Sequence, residues 1–272
     1  MNILALVRTK EDLTTITDYA KKVASDGDSI HILNIVNVSG NIPTKKDTGE
    51  IIDGCTEFDV SQYYNERRDN ENWLKTADLG NYNSSVQAIV GSRYTILKNQ
   101  EASLNIDLVI TTTTQSSDTQ DFFKYTTAGI VHDKLNVPVL ALKCDRSKED
   151  INDIAIVSDF TQTDLEDLSV LKHIASKSNA SFTLYAFSMD KESDFELNER
   201  MDKFVQRQDL KNTKNVIIHT QSKERSASEM LMEYPIQLMV VLDIHRVGFS
   251  KIIKGSLEKD IMNRNLIPIL AY

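Results

Sequence analysis

The chain has 272 residues, 40% of them apolar, with 40 acidic against 31 basic side chains. That length is enough for two independent cores, and an acidic surplus present in both halves argues against a basic nucleic-acid-binding module. No stretch of about 18 apolar residues exists that would span a bilayer, the N-terminal residues carry no charged leader, and Cys55 and Cys144 lie outside any CxxC spacing. A soluble, cytoplasmic protein without a disulfide framework, a zinc site, or a nucleic-acid or membrane partner is the expectation.

Ile3 to Val7 is a short, nearly continuous apolar run, as in a strand buried on both faces. Leu13, Ile16, Ala20, Val23 and Ala24 follow at helical spacing, and Ile30 to Val36 reads as a second strand. Next comes an insertion over residues 39–77. Its first part, Ser39 to Asp59, is polar and carries Gly40, Pro43, Gly49 and Gly54, so a mobile surface loop is expected there. Its second part, Ser61 to Ala77, reads as a helix holding the only tryptophan, Trp73. Val86 to Val90, Ile106 to Ile110 and Val137 to Leu142 supply three further strands.

After a short charged linker, Lys143 to Asp153, the pattern begins again. Ile154 to Val157 is a strand, Leu165, Leu168, Leu171, Ile174 and Ala175 mark a helix, and Phe182 to Phe187 is a second strand. With Pro138 placed over Pro268, Ile106–Ile110 falls over Ile236–Val240 and Val86–Val90 over Val216–Thr220; after one change of offset, Ile3–Val7 falls over Ile154–Ser158. The reading is a tandem α/β protein, with domains at 1–147 and 148–272. Each is a Rossmann-like, five-stranded, mostly parallel sheet flanked by helices, because the crossovers are long enough for helices.

Ligands of open parallel sheets sit beyond the carboxyl ends of the strands, where strand order reverses. In the second repeat those positions carry Asp159-Phe160-Thr161 after the first strand, then Arg246, Gly248, Ser250 and Gly255-Ser256 after the fourth. Glycine lets backbone approach a ligand closely, and a serine at a helix start offers a hydroxyl and free amides to an anion. Asp159 and Ser256 could equally serve as helix caps.

With these residues the chain resembles the universal stress protein family in its tandem form, over essentially its whole length. The resemblance implies HUP-type domains and a strand-end Asp-x-Ser/Thr matched by Asp159-Phe160-Thr161. It also implies an ATP loop, Gly-x2-Gly-x9-Gly-Ser/Thr, whose last pair is Gly255-Ser256 and whose first two glycines fall on Leu242 and His245. In the first repeat, Thr112, Gln115 and Tyr125-Thr126 occupy the loop positions, and Arg8 replaces the aspartate. The candidate nucleotide-binding residues are therefore Asp159, Phe160, Thr161, Arg246, Gly248, Ser250, Gly255 and Ser256, with ATP, ADP or AMP in the second domain as the ligand. The resemblance also implies pairing of the two domains through Val137–Leu142 and Ile267–Tyr272, and leaves a homodimer open.

The function expected is regulatory and non-enzymatic, with weak or absent nucleotide binding. An interaction scaffold that has lost both pockets is an alternative, and an ATP hydrolase or adenylyl-transfer enzyme is a third reading. No GxxxxGK[ST] loop and no base paired with a nucleophile supports the enzyme.

Overall fold

The computed structural model describes residues 1–38, 40–52, 60–112, 135, 137–161, 167–188, 193–219, 236–242 and 267–272. The chain divides into two compact units, one built on Met1–Thr112 and reaching Val139, the other on Leu140–Tyr272.

The first unit contains strands β1 (Asn2–Leu6), β2 (Ser29–Asn37), β3 (Asn83–Gly91) and β4 (Leu108–Thr112), and helices α1 (Asp12–Val23), α2 (Ser61–Leu74) and α3 (Arg93–Leu104). The strand order is β3-β2-β1-β4, and all of these pairs are parallel. The Val109 N–H donates to the Pro138 carbonyl at 3.0 Å, which brings the start of a fifth strand, β5 (Val139–Leu142), beside β4. Ile3, Leu4, Ala5 and Leu6 are all buried, as a strand covered on both faces requires. Leu13, Ile16, Ala20 and Val23 form the inward stripe of α1.

The second unit contains β6 (Asp153–Val157), β7 (Ser181–Ser188), β8 (Thr213–His219), β9 (Leu238–Val241) and β10 (Ile269–Ala271), with helices α4 (Ser169–Ser176) and α5 (Asp194–Gln208). Its order is β10-β9-β6-β7-β8, again parallel throughout. The Ser193 hydroxyl accepts from the Glu196 N–H at 3.3 Å while the Glu196 carboxylate accepts from the Ser193 N–H at 3.1 Å, closing a capping box at the start of α5. Leu197, Met201 and Phe204 turn the same helix inward.

Strand register follows the sequence alignment at the centre of each sheet and departs from it at the edge. Ile3 faces Leu108 across β1 and β4, and Ile154 faces Leu238 across β6 and β9, so aligned residues occupy equivalent places. For the third strands, Ile30 pairs with Ser84 whereas Phe182 pairs with Thr213, which sets Val86 level with Asn215 rather than Val216. An edge strand has a partner on one side only and a weakly alternating sequence, so its apolar pattern fixes register poorly.

The structureless loop expected over residues 39–59 is corrected for its described part. Residues 40–52 form a strap with antiparallel bridges between Thr44 and Ile51 and between Glu50 and Gly91. Ile42 and Ile51 are buried with Val36, Val38 and Val90, although polar neighbours conceal them in the sequence. The Gly49 carbonyl accepts from the Ser92 N–H at 2.7 Å, so the strap fixes the start of α3. The next segment, α2, ends at Leu74 rather than Ala77.

Candidate functional site

In both sheets the chain leaves the central strand to one side for two crossovers and returns on the other side. The strand-order reversals therefore lie at the carboxyl ends of β1 and β4 and of β6 and β9.

In the second unit β6 runs into a tight turn. The Asp159 carboxylate accepts from the Thr161 N–H at 2.9 Å and from the Thr161 hydroxyl at 2.7 Å. The Ser158 hydroxyl, itself buried, accepts from the Phe160 N–H at 3.1 Å. Phe160 adopts φ 56°, a left-handed conformation costly for an aromatic residue. Its buried ring packs edge-on against Phe204 of α5, with centroids 5.3 Å apart, and Arg200 of α5 donates to the Asp159 carbonyl. Sequence placed Asp159, Phe160 and Thr161 together as ligand-facing residues. The structure brings Asp159 and Thr161 together and places the Phe160 ring in the core against Phe204. Among the described residues α4 begins at Ser169, whose N–H donates to the Asp167 carboxylate at 2.8 Å.

On the β9 side, Leu242 is fully buried and its N–H donates to the Val157 carbonyl at 3.3 Å. The backbone N–H at that position is engaged by the sheet. Arg246, Gly248, Ser250, Gly255 and Ser256 lie outside the described residues, as do His245, Gln115 and Tyr125-Thr126.

In the first unit a cleft of about 270 Å³ opens at the carboxyl ends of β1 and β2, where Arg8, Thr9, Asn34, Asn37, Glu66 and Arg93 line it. Buried Asn34 organises its floor. Its Nδ2 donates to the Val7 carbonyl at 3.0 Å and the Arg8 carbonyl at 3.3 Å, while its Oδ1 accepts from Asn70 of α2 at 2.8 Å. Both donors of this buried amide are thereby spent on holding the β1 terminus, and its oxygen ties that terminus to α2. Arg93, the first residue of α3, is positioned by its own N–H, which donates to Asn37 Oδ1 at 3.1 Å. Burial, and then the charge of Arg8, push the Arg93 guanidinium below its ordinary pKa. At the end of β4 the Thr112 hydroxyl is buried with no hydrogen-bond partner among the described residues.

Arg93, Asn34 and Asn37 were missed by a sequence reading confined to the ends of the first and fourth strands. The usable signal was Gly91-Ser92-Arg93, a strand end running directly into a helix. Among the described residues no helix is long and apolar enough to cross a membrane, and no cluster of three His, Cys, Asp or Glu could hold a metal.

No protein-family model matches the chain, and no curated protein is significantly similar to it in sequence. Solved structures are similar to it over nearly its full length. A universal stress protein from Archaeoglobus fulgidus DSM 4304 superposes with a TM-score of 0.64 at 14% identity, covering 99% of this chain and 95% of the other. The chain has the universal stress protein fold. A Pseudomonas aeruginosa UCBPP-PA14 protein described as a universal stress protein superposes at 0.58 with 16% identity, covering 99% and 92%. The cytoplasmic domain of a prokaryotic cation chloride cotransporter superposes at 0.55 with 12% identity, covering 99% and 94%. The universal stress protein fold is thus shared by a domain of a different protein class, and function has to be argued from the site.

Proposed function

We propose that the protein is a cytoplasmic, non-enzymatic regulator of the stress-response type, with domains at 1–147 and 148–272 and at most weak adenine-nucleotide binding in the second. The observation that carries this reading is the state of the β6–β9 switch point. Among the described residues there, the Asp159 carboxylate is engaged by the Thr161 N–H and hydroxyl, and Leu242, where the resemblance places a glycine, is buried with its N–H bonded to the Val157 carbonyl. An acid or base for turnover needs a side chain aimed at substrate, and a phosphate loop needs unengaged amides. The fold supports the stress-response assignment by analogy with the proteins that share it.

Two assays test the proposal together. Protein denatured directly after purification is expected to release little or no nucleotide, and a steady-state phosphate-release assay with ATP is expected to stay at the level of a protein-free control. If nucleotide is carried, Gly255→Val removes it and Thr126→Ala does not. Sustained, enzyme-dependent phosphate release would refute the non-enzymatic reading, and equal sensitivity to both substitutions would refute the assignment to the second domain.

A further inference from the structure

The two sheets treat their outer third strands differently. The strap bridges Gly91 and holds the Ser92 N–H, which closes the far end of the β3 edge, whereas β8 has no such cover among the described residues. The Phe182 N–H donates to the Asn212 carbonyl at 2.9 Å, and β7 and β8 keep a single register from Phe182–Thr213 to Ser188–His219. Lys214, Val216 and Ile218 therefore turn their main-chain groups toward β7, and Thr213, Asn215, Ile217 and His219 turn theirs outward. None of these outward N–H or carbonyl groups has a hydrogen-bond partner among the described residues. An edge of this kind is a template for another strand, and β8 carries neither the proline nor the bulge that would blunt it. Its middle, Val216-Ile217-Ile218, is aliphatic and only half-buried.

We propose that β8 is the contact for a second copy of this chain, which pairs with it antiparallel about a twofold axis through Val216. That axis pairs the whole strand: Asn215 faces the partner's Ile217, Thr213 faces the partner's His219, and outward groups meet outward groups throughout. Axes through Asn215 or Ile217 leave one end of the strand unpaired. Val216, whose own main chain is given to β7, meets the partner's Val216 in a non-hydrogen-bonded pair, where side chains come closest. Charge favours the same occupant. The chain carries a net charge of -9, so two copies repel on approach, but β8 holds no carboxylate. Within the strand Lys214 falls opposite the partner's Ile218 and not opposite a like charge. On the α5 side Asn215 donates to Asp202, and His219 lies 3.3 Å from Asp194. The exposed Lys211 ahead of β8 is carried to the Asp194 end of the other copy, so a basic end lies against an acidic one at both rims.

Sedimentation velocity of the full chain from about 1 to about 300 μM, a range that spans weak association, is expected to show a monomer–dimer equilibrium. Val216→Lys and Val216→Glu should each stay monomeric, because each sets like charges against one another across the axis, and an equimolar mixture of the two should dimerise again. Ile217→Pro removes an outward N–H without touching the bonds to β7, so it should leave the urea midpoint nearly unchanged while weakening association about tenfold or more. Should Ile217→Pro fail to fold, the charged pair decides alone. Val86→Lys, on the edge strand of the other unit, should associate like the unmodified protein. A chain that stays monomeric throughout the range, which would leave the strand to a segment of another protein, overturns the proposal. So does a dimer indifferent to Val216→Lys, or a mixture of the charged variants that fails to associate. None of these outcomes depends on whether the second domain binds nucleotide.

Discussion

Gly91→Val is expected to lower the unfolding free energy by about 4 kcal/mol, as read from urea denaturation. A side-chain Cβ at this position would stand 2.0 Å from the Gly49 carbonyl oxygen and 2.9 Å from the Glu50 Cα, both backbone atoms that cannot swing aside. The strap must therefore lift off β3, exposing Ile42 and Ile51, each worth about 1.5 to 3 kcal/mol when buried. Gly27→Val separates this clash from backbone strain alone, because Gly27 has φ +90° with nothing within 4 Å of a built Cβ. It should cost only about 1 to 2 kcal/mol. Equal losses for the two substitutions would mean that the strap adds nothing to stability. Because Gly49 holds the Ser92 N–H beside Arg93, Gly91→Val should also loosen the cleft of the first unit.

The second large effect concerns Phe160. Replacing it with alanine removes a buried ring, which in cores typically costs about 3 to 5 kcal/mol, and forfeits the edge-on contact with Phe204. The left-handed backbone remains unfavourable for alanine, so strain relief does not offset the loss. A double-mutant cycle with Phe204→Ala should show the two losses to be far from additive. If Phe160 were instead a ligand-contacting residue, its replacement would leave stability within about 1 kcal/mol and change only binding.

The strands were legible in the sequence because buried parallel strands leave continuous apolar runs, as in Ile3–Val7 and Ile154–Val157. The strap was not, because only Ile42 and Ile51 anchor it, and its docking depends on the bare backbone of Gly91, forty residues beyond Ile51. "Polar, therefore loose" fails wherever two apolar anchors and a glycine suffice. In the same way Asp159-Phe160-Thr161 was legible as a turn at a strand end, but the direction of Phe160 is set by Phe204, a tertiary contact with no local signature. Arg93 escaped attention because its meaning arises only when β1 and β3 are placed in one sheet on either side of β2 and α3 is started by the strap.

The account rests on the second domain's nucleotide loop being worn where Leu242 replaces glycine, and calorimetric titration of the unmodified protein with ATP and AMP addresses it directly. With the Leu242 N–H already given to Val157, one hydrogen bond that the resemblance would assign to phosphate is not on offer. At about 1.5 to 3 kcal/mol this amounts to roughly one to two powers of ten in affinity. ATP is expected to bind no more tightly than about 10 μM, with AMP, which has fewer phosphates to satisfy, affected less. Sub-micromolar ATP binding would contradict the account, since it would require an intact phosphate cradle that a buried, sheet-bonded Leu242 does not offer.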